Sequence, residues 1–414
     1  MRTAVTRSRA TRAAIGALVV AWAFIACDAL SPSQAPASPS QTAALPTGTP
    51  LSTATGPLPT TAPTAAADCA AVTLASMSES QQVGQLFMPS LVADTVPTAI
   101  ASAINAWNLG NVWYRRTNTG VTAIRAVSDR IQAMATVAAT DGVGFFIGAN
   151  QEGGEIQGLA GPGFATIPSA VVQGTWTPAT LQSRARLWGA QLLAAGVNVD
   201  FAPVSDVVPA GTEATNAPIG QLFREFGSTP STVAAHVAAF IAGMHGAGVA
   251  TTAKHFPGLG RVVGNTDNTA QVVDDVTTTT DPYLGPFRTA IASGTELVMV
   301  SEATYTRIDP ANLAIFSSTI VGSLLRDRLG FDGVIVSDTL TATAVSAIAP
   351  ADRAIRFLDA GGDLLVLNDI QVAGVMARAV LARASADATF RARVEEAARR
   401  ILKAKVAAGL IACP

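Results

Sequence analysis

From residue 70 onward, short apolar runs alternate eight times with longer segments of helical periodicity. The apolar runs are rich in β-branched residues, as parallel strands covered on both faces are. The predicted strands are residues 85–91, 111–114, 145–148, 198–202, 250–254, 297–301, 334–337 and 363–367. Because eight strand–helix units in about 340 residues match the size of a (β/α)8 barrel, the pattern predicts an α/β fold of the TIM-barrel type.

The first 27 residues have the features of an export signal. Four Arg and no acidic residue precede the apolar run 13–26, which is too short for a comfortable membrane span. The run ends at Cys27 in a sequence similar to the lipobox of bacterial lipoproteins, the alternative being an ordinary secretory signal. We therefore expect export and a lipid anchor on Cys27 that holds the protein to the outer face of the cytoplasmic membrane.

Residues 28–68 are predicted to form a disordered linker. The segment contains eight Pro and no aromatic residue, so it cannot bury enough apolar surface to offset the entropy lost on ordering. We assign residues 69–414 to a single catalytic domain. Cys69 opens this domain and Cys413 is the penultimate residue. In an exported protein two such cysteines usually pair, so we expect a Cys69–Cys413 disulfide, with two free thiols as the alternative.

Polar residues are concentrated where the predicted strands end, which is where (β/α)8 barrels carry their active sites. Lys254 and His255 are notable because the chain has only three Lys among 27 basic residues. Together they can hydrogen-bond vicinal hydroxyls, although a strand-end ion pair beside a structural His is also consistent with the pattern. Asp338 is a candidate catalytic carboxylate or, alternatively, the N-cap of the next helix.

Several motifs resemble glycoside hydrolase family 3. They are KHFPGLG at 254–260, GFDGVIVSDTL at 330–340, MSESQQVGQLFM at 77–88, NQEGGEIQ at 150–157, NVDFAPVSDV at 198–207, FREFG at 223–227 and ELVMVSE at 296–302. Within this family the chain resembles the single-domain bacterial β-N-acetylglucosaminidases. The resemblance implies retaining hydrolysis of terminal β-linked N-acetylglucosamine, with Asp338 as nucleophile. It also implies sugar binding by a set of five residues: Asn150, Asp206, Arg224, Lys254 and His255.

The loop expected to carry the acid/base departs from the family. Relatives of this subgroup have an Asp-x-His dyad after the fifth strand, whereas GRVVGNTDNTA at 260–270 has Asp267 and then Thr269. A Thr hydroxyl is far too weakly acidic to protonate a leaving group. Asp267 therefore serves directly as the acid/base, or Asp274 or Asp275 moves into the site and takes that role. Otherwise the enzyme is slow, needs good leaving groups or uses another acceptor.

Three further departures alter the charge around the predicted site. Asn150 stands where the family usually has an Asp that binds the distal hydroxyls of the sugar. Glu155 replaces the Arg of an EGGR run, and Glu302 replaces a frequent His after the sixth strand. An Asn still donates and accepts hydrogen bonds, so sugar binding is retained in our prediction.

The composition narrows the function further. A formal charge of −2 and 14% charged residues exclude a basic nucleic-acid binder. The three His and three Cys show no metal-ligand spacing, and no Gly-rich phosphate loop follows a strand, so we expect neither metal nor cofactor. We expect a monomeric hydrolase of peptidoglycan-derived fragments at the cell envelope. The alternatives are a catalytically impaired glycan-binding barrel and a glycosidase or phosphorylase of altered sugar specificity.

Overall fold

The computed structural model of the protein describes residues 62–91 and 96–413. The predicted export signal, with Cys27, and residues 28–61 of the predicted linker lie outside these residues. The first helix, Ala62–Ser76, begins before the domain boundary predicted at Cys69. Alanine is the strongest helix former, and this helix is rich in it, which gives a local reason for the earlier start.

Eight parallel strands form the centre of the domain. We number them β1 to β8: Phe87–Leu91, Asn111–Tyr114, Phe146–Ala149, Val199–Asp200, Ala250–Phe256, Leu297–Val300, Val334–Ser337 and Leu365–Leu367. Each strand pairs with the strands before and after it in the sequence, and β8 pairs with β1. A parallel bridge between Val336 and Leu364 joins β7 to β8 and closes the ring. The prediction of a (β/α)8 barrel is confirmed.

At four strands, β1, β4, β5 and β8, one end lies two residues from the predicted bound. β1 begins at Phe87 rather than at residue 85, because Gln85 is the C-cap of the preceding helix Glu79–Gly84. β5 continues to Phe256, so Lys254 and His255 lie inside the strand rather than at its end. The bounds of β2 and β7 agree with the prediction to the residue.

Helices surround the strands on the outside. The longer ones, with at least eight residues, are Ala62–Ser76, Thr98–Trp107, Val121–Gln132, Pro178–Ala194, Pro230–His245, Gly285–Ala292, Pro350–Asp359, Ile370–Ala386 and Ala388–Ala407, with a π-helix at Thr319–Arg328. The local sequence explains their starts. Thr177 and Thr229 cap two helices through their side chains, and a Pro follows each in the first turn, where its missing N–H costs nothing.

Lys405 closes the bottom of the barrel. Its side chain is fully buried, and its Nζ donates to Gln85 Oε1 at 2.7 Å and to the Gly110 carbonyl at 2.8 Å. These acceptors precede β1 and β2, so the C-terminal helix Ala388–Ala407 is fixed to the N-terminal ends of the first strands. Burial holds the pKa of Lys405 well below its usual value.

Connections at the opposite, C-terminal end of the strands build the rim of the site. Gln151–Gly153 and Ile156–Gln157 form a hairpin directly after β3. Val273–Asp274, Thr304–Tyr305 and Asp309–Leu313 form a three-stranded sheet that joins the loops after β5 and β6. The loop after β5 is thereby held against the loop after β6, a contact that local sequence does not reveal.

Cys69 and Cys413 form a disulfide, which is the pairing predicted from the sequence. Their Cα atoms are 5.6 Å apart, and 344 positions separate them in the chain. The bond ties the first helix to the end of the chain beyond the last helix. Among the described residues, no helix has both the length and the apolar character needed to span a bilayer.

Replacing both cysteines, Cys69→Ser with Cys413→Ser, should lower the free energy of unfolding. In the chain-entropy account a loop closed across 344 positions is worth up to about 5–6 kcal/mol. Urea unfolding followed by circular dichroism measures the loss. Wild-type protein treated with a reductant should match the double variant, and an unchanged urea midpoint would contradict the role given to this bond.

Candidate active site

A cavity of about 220 Å³ opens among the C-terminal ends of the strands. Six of the seven residues predicted to act on substrate line it: Asn150, Arg224, Lys254, His255, Asp267 and Asp338. The seventh, Asp206, is fully buried and is not part of the lining. The sequence therefore identified six of the residues that line the cavity, and the structure gives Asp206 a different position from the one expected of a direct sugar ligand.

Glu152 holds the two main cations of the cavity wall. Its Oε1 and Oε2 each accept a hydrogen bond of 2.8 Å from Arg224, and Oε1 lies 2.5 Å from Lys254 Nζ. Lys254 also donates to Asn150 Oδ1 at 2.7 Å. The hairpin after β3, the loop after β4 and strand β5 thus meet at one carboxylate. Lys254 is therefore in a buried ion pair within β5 and also lines the cavity, while its predicted contact with sugar hydroxyls stays a prediction.

The charges of this network stabilise one another. Burial opposes ionisation of Glu152, but attraction to Arg224 and Lys254 outweighs it and lowers the pKa of Glu152 to about 2. Burial also lowers the pKa of Lys254, and Glu152 acts against that shift. Nearby, burial raises the pKa of Asp200, at the end of β4, to about 7. Glu152 is therefore held as a charged carboxylate, whereas the pKa of its neighbour Asp200 lies near 7.

A bulge in β5 turns both Lys254 and His255 toward the cavity. In the pairing of β5 with β6, Lys254 lies opposite Met299 and Phe256 opposite Val300, so His255 is the extra residue. Successive residues of a regular strand point to opposite faces, and a bulge removes that alternation. The Nδ1 atom of His255 lies 2.8 Å from Asp206 Oδ2, which leaves Nε2 directed away from Asp206.

Asp206 positions His255. Besides its contact with the imidazole ring, Asp206 accepts hydrogen bonds from the backbone N–H groups of His255 and, at 2.7 Å, of Leu259. A buried carboxylate with several N–H donors stabilises its surroundings and has little capacity left for substrate. We therefore assign Asp206 to orientation of the histidine.

Asp338 follows β7 directly and does not cap a helix. Its backbone N–H donates to the Val300 carbonyl at 3.0 Å, which continues the β6–β7 pairing, and its Oδ1 accepts from the Thr339 N–H at 2.8 Å. The next α-helix, Pro350–Asp359, has Ala349 at its N-cap. The alternative interpretation of Asp338 as a helix cap is therefore wrong.

The loop after β5 lies over the cavity and is fixed at several points. Asn216 Nδ2 donates to the carbonyls of Leu259 and Val262, and Thr343 and Ala344 donate through their N–H groups to the carbonyls of Asp267 and Thr266. Asp267 is thereby held beside the segment that follows Asp338. Gly260 packs on the Val207 carbonyl so closely that a Cβ would lie 1.8 Å from it, so close packing alone requires glycine there.

Asp267 is the carboxyl group of this loop that faces the cavity. Burial and then the charge of Asp338 raise the pKa of Asp267, which favours the protonated form that a general acid needs. Asp274 is occupied elsewhere: its carboxylate accepts from the N–H groups of Val276 and Thr277 and from the Thr277 hydroxyl. Asp275 is exposed and is not part of the cavity lining.

Glu302, which follows β6, is a fully buried acid close to both catalytic candidates. Neither carboxyl oxygen has a hydrogen-bond partner among the described residues. Burial raises the pKa of Glu302 well above its usual value, and the charges of Asp338 and Asp267 add to the shift. These surroundings favour the protonated form of Glu302 over the carboxylate.

Two features of the cavity were not predicted from the sequence. Glu152 was noted only as part of a polar run, and its role depends on partners that lie 72 and 102 positions away. The apolar side of the cavity, formed by Trp113, Phe201 and Met299, was missed as well. The Trp113 and Phe201 rings meet edge to face with centroids 5.9 Å apart. An aromatic residue in a predicted strand was the available signal for Trp113.

The described residues contain no cluster of three or more His, Cys, Asp or Glu that could hold a metal ion. The cavity contains the Asp338 carboxylate opposite cations and amides, and the carboxyl group of Asp267 on the loop after β5. Such a pair of carboxyl groups around a cavity lined by hydroxyl-binding groups is the arrangement used in glycoside hydrolysis.

Comparison with known proteins decides the family. The profile described as the Glycosyl hydrolase family 3 N terminal domain matches residues 79–404. The chain belongs to glycoside hydrolase family 3. It is therefore an enzyme of the class that hydrolyses O-glycosyl bonds.

Individual family 3 proteins are similar to it over most of the barrel. The β-N-acetylhexosaminidase from Beutenbergia cavernae is 49% identical, with a TM-score of 0.79 over 80% of this chain and 99% of that one. A family 3 β-N-acetylglucosaminidase from Paenibacillus is 28% identical, with a TM-score of 0.72 over 81% and 63% of the two chains. A β-hexosaminidase from Xylella fastidiosa is 32% identical over 58% of this chain and 71% of its own length.

Glu302→Gln should reduce the loss of unfolding free energy that occurs as the pH rises. A carboxyl group whose pKa is raised by folding contributes stability below its unfolded pKa and loses it as the pH rises toward the folded pKa. As the pH rises above the ordinary glutamate pKa of about 4.3, the wild type should therefore lose stability relative to the variant, by at most about 1.4 kcal/mol for each pH unit.

Urea unfolding at several pH values measures this difference. Asp327→Asn, at an exposed position, is the matched control and should run parallel to the wild type. A constant difference between Glu302→Gln and the wild type across the pH range would show that Glu302 does not bind a proton on folding.

Proposed function

We propose that this family 3 enzyme is a retaining β-N-acetylglucosaminidase that removes terminal β-linked N-acetylglucosamine, with Asp338 as the nucleophile and Asp267 as the acid/base. The main support is the shared cavity in which Asp338 and Asp267 face a wall of Lys254, His255 and Arg224. The names of the similar proteins, β-N-acetylhexosaminidase and β-N-acetylglucosaminidase, support the choice of sugar.

The wall retains donors that a sugar can use. An ammonium group has three N–H donors, and Lys254 directs two contacts to Glu152 and Asn150, so one proton remains for a hydroxyl. The Asn150 Nδ2 donates to none of the described residues, because only its Oδ1 is occupied. These donors orient the ring, while Trp113 and Phe201 offer an apolar surface to its C–H groups.

In the first half of the reaction, the Asp338 carboxylate attacks the anomeric carbon while Asp267 gives its proton to the departing oxygen. The glycosidic C–O bond breaks and an ester between the sugar and Asp338 forms. Burial and the charge of Asp338 raise the pKa of Asp267, which favours the protonated acid that this step needs.

In the second half, the now ionised Asp267 takes a proton from water as the water attacks the anomeric carbon. The ester bond to Asp338 breaks, the sugar leaves with its original anomeric configuration, and Asp267 is protonated again. Esterification removes the negative charge of Asp338 and so lowers the pKa of Asp267 at the stage when it acts as a base. One carboxyl group can therefore serve both steps without the dyad histidine.

We further propose that the enzyme is exported, anchored at Cys27 and monomeric, and that it acts on peptidoglycan-derived fragments. The Cys69–Cys413 disulfide supports export, because such bonds persist in oxidising compartments. Globomycin treatment of expressing cells tests the anchor: accumulation of the unprocessed precursor is expected for a lipoprotein, and normal processing would favour an ordinary secretory signal.

Asp338→Ala should abolish turnover of 4-nitrophenyl N-acetyl-β-glucosaminide. Loss of a nucleophile on which both steps depend typically lowers kcat by about 10⁴-fold or more. Binding of N-acetylglucosamine, measured by calorimetry, should persist, because the hydroxyl-binding wall is intact. Full turnover in this variant would refute the assignment of Asp338.

Asp267→Ala should lower kcat by about 10²–10⁴-fold on substrates with poor leaving groups and by much less on the activated nitrophenyl glycoside. Azide should restore turnover by attacking the glycosyl-enzyme and should yield a β-glycosyl azide. Asp275→Ala is the matched variant, from the same loop but outside the cavity lining. Azide rescue of Asp275→Ala instead of Asp267→Ala would transfer the acid/base role to Asp275.

A further inference from the structure

A second cavity of about 170 Å³ adjoins the first one. Trp113, Arg115, Asn150 and Ile156 line both, so the two spaces are direct neighbours. We call the second space the annex. Its remaining lining comes from the end of β2 and the residue after Arg115, and from the hairpin after β3 and the residue that follows it: Tyr114, Arg116, Glu155, Gln157 and Gly158.

The annex lies across the barrel from the nucleophile. Along the closed ring of eight strands, β3 is four strands from β7 in either direction, which places Asn150 and Asp338 on opposite walls. A sugar whose anomeric carbon faces Asp338 therefore directs its remote carbons toward Asn150. Neither Asp338 nor Asp267 lines the annex, so the departing group is not its occupant.

Two arginines line the annex, and their bonding differs. Arg116 donates to the backbone carbonyl of Glu155, which fixes it to the hairpin. Arg115 is exposed, and its guanidinium has no hydrogen bond or ion pair with any residue that the structure describes, although its backbone N–H donates to the Leu91 carbonyl. A solitary surface arginine is usually only solvated, but Arg115 lines both cavities at their junction. A ligand that extends from one cavity into the other must pass its guanidinium.

The charge of the annex favours an anion. It is lined by the side chains of Arg115 and Arg116 against one carboxylate, that of Glu155. A guanidinium presents a planar set of N–H donors that matches the oxygens of a carboxylate, phosphate or sulfate. Neutral hydroxyls gain less from such a group than a charged ester does.

We propose that the annex binds an anionic group on the distal end of the terminal sugar, such as a sulfate or phosphate ester at C6, with Arg115 as its main ligand. The inference rests on the proposed function and specifies the substrate class of that site. It extends the site beyond the hydroxyls of the sugar ring to a charged substituent.

The test compares 4-nitrophenyl N-acetyl-β-glucosaminide with its 6-sulfate. For the wild type, the ratio of kcat/KM for the sulfated substrate to that for the plain one should exceed one. In Arg115→Gln the ratio should fall about tenfold, as expected for loss of a charge-assisted hydrogen bond. Arg130→Gln, at an exposed arginine of the helix Val121–Gln132, is the matched control and should keep the wild-type ratio.

The outcomes separate this inference from the proposed function. Hydrolysis of the plain substrate with the same ratio in the wild type and in Arg115→Gln overturns the inference alone. A further outcome is efficient release of nitrophenol directly from 4-nitrophenyl N,N′-diacetylchitobioside at a rate that Arg115→Gln does not change. That outcome would assign the annex to a neutral second sugar and would also overturn the inference.

If the wild type hydrolyses neither substrate, the proposed function fails, and calorimetry still tests the annex. Tighter binding of N-acetylglucosamine 6-sulfate than of N-acetylglucosamine, lost in Arg115→Gln, supports the inference. Equal affinities for the two sugars overturn it.

Discussion

The site depends on one buried carboxylate, Glu152, because it is where three separate parts of the barrel meet. Without its charge, Lys254 and Arg224 would be two cations left facing each other in a poorly hydrated wall. Removing one partner of a buried ion pair destabilises a protein far more than removing one partner of an exposed pair. The hairpin after β3, the loop after β4 and strand β5 are therefore constrained to keep their relative positions. The same contacts fix Asn150 and leave defined donors for a sugar. In the proposed mode of binding, the groups that recognise the substrate are thus held in place by the contacts that neutralise charge in the barrel mouth.

The acids of the barrel mouth divide according to what surrounds them. Glu152 is kept ionised by two cations, with its pKa lowered to about 2. Burial and the charges of neighbouring carboxylates raise the pKa of Glu302 and of Asp267. The surroundings therefore favour a charged carboxylate at Glu152 and a protonated carboxyl group at Glu302 and Asp267. Bond cleavage needs both, because the sugar must be oriented by fixed charges while a proton is delivered and recovered.

The sequence predicted the strands well because parallel strands covered on both faces appear as apolar runs, and β2 and β7 match to the residue. It also predicted which residues line the cavity, since polar residues at strand ends converge in a barrel. It could not assign Asp206 to orientation of His255, because that role follows from the bulge in β5, a register shift against β6 that only the assembled sheet defines. The importance of Glu152 was hidden for a similar reason, since both partners are distant in the sequence.

The contacts of the C-terminus have a consequence for the order of events during biosynthesis. Lys405 fills the space beneath β1 and β2, and Cys413 pairs with a residue 344 positions earlier. Neither contact can form until nearly the whole chain has left the ribosome and, if the protein is exported as proposed, crossed the membrane. If the protein is exported as proposed, Cys69 therefore stays a free thiol until Cys413 has crossed the membrane. If Cys27 also carries a lipid, Cys413 is the remaining cysteine of this sequence with which Cys69 can pair, so formation of the bond would need an oxidant but no later reshuffling.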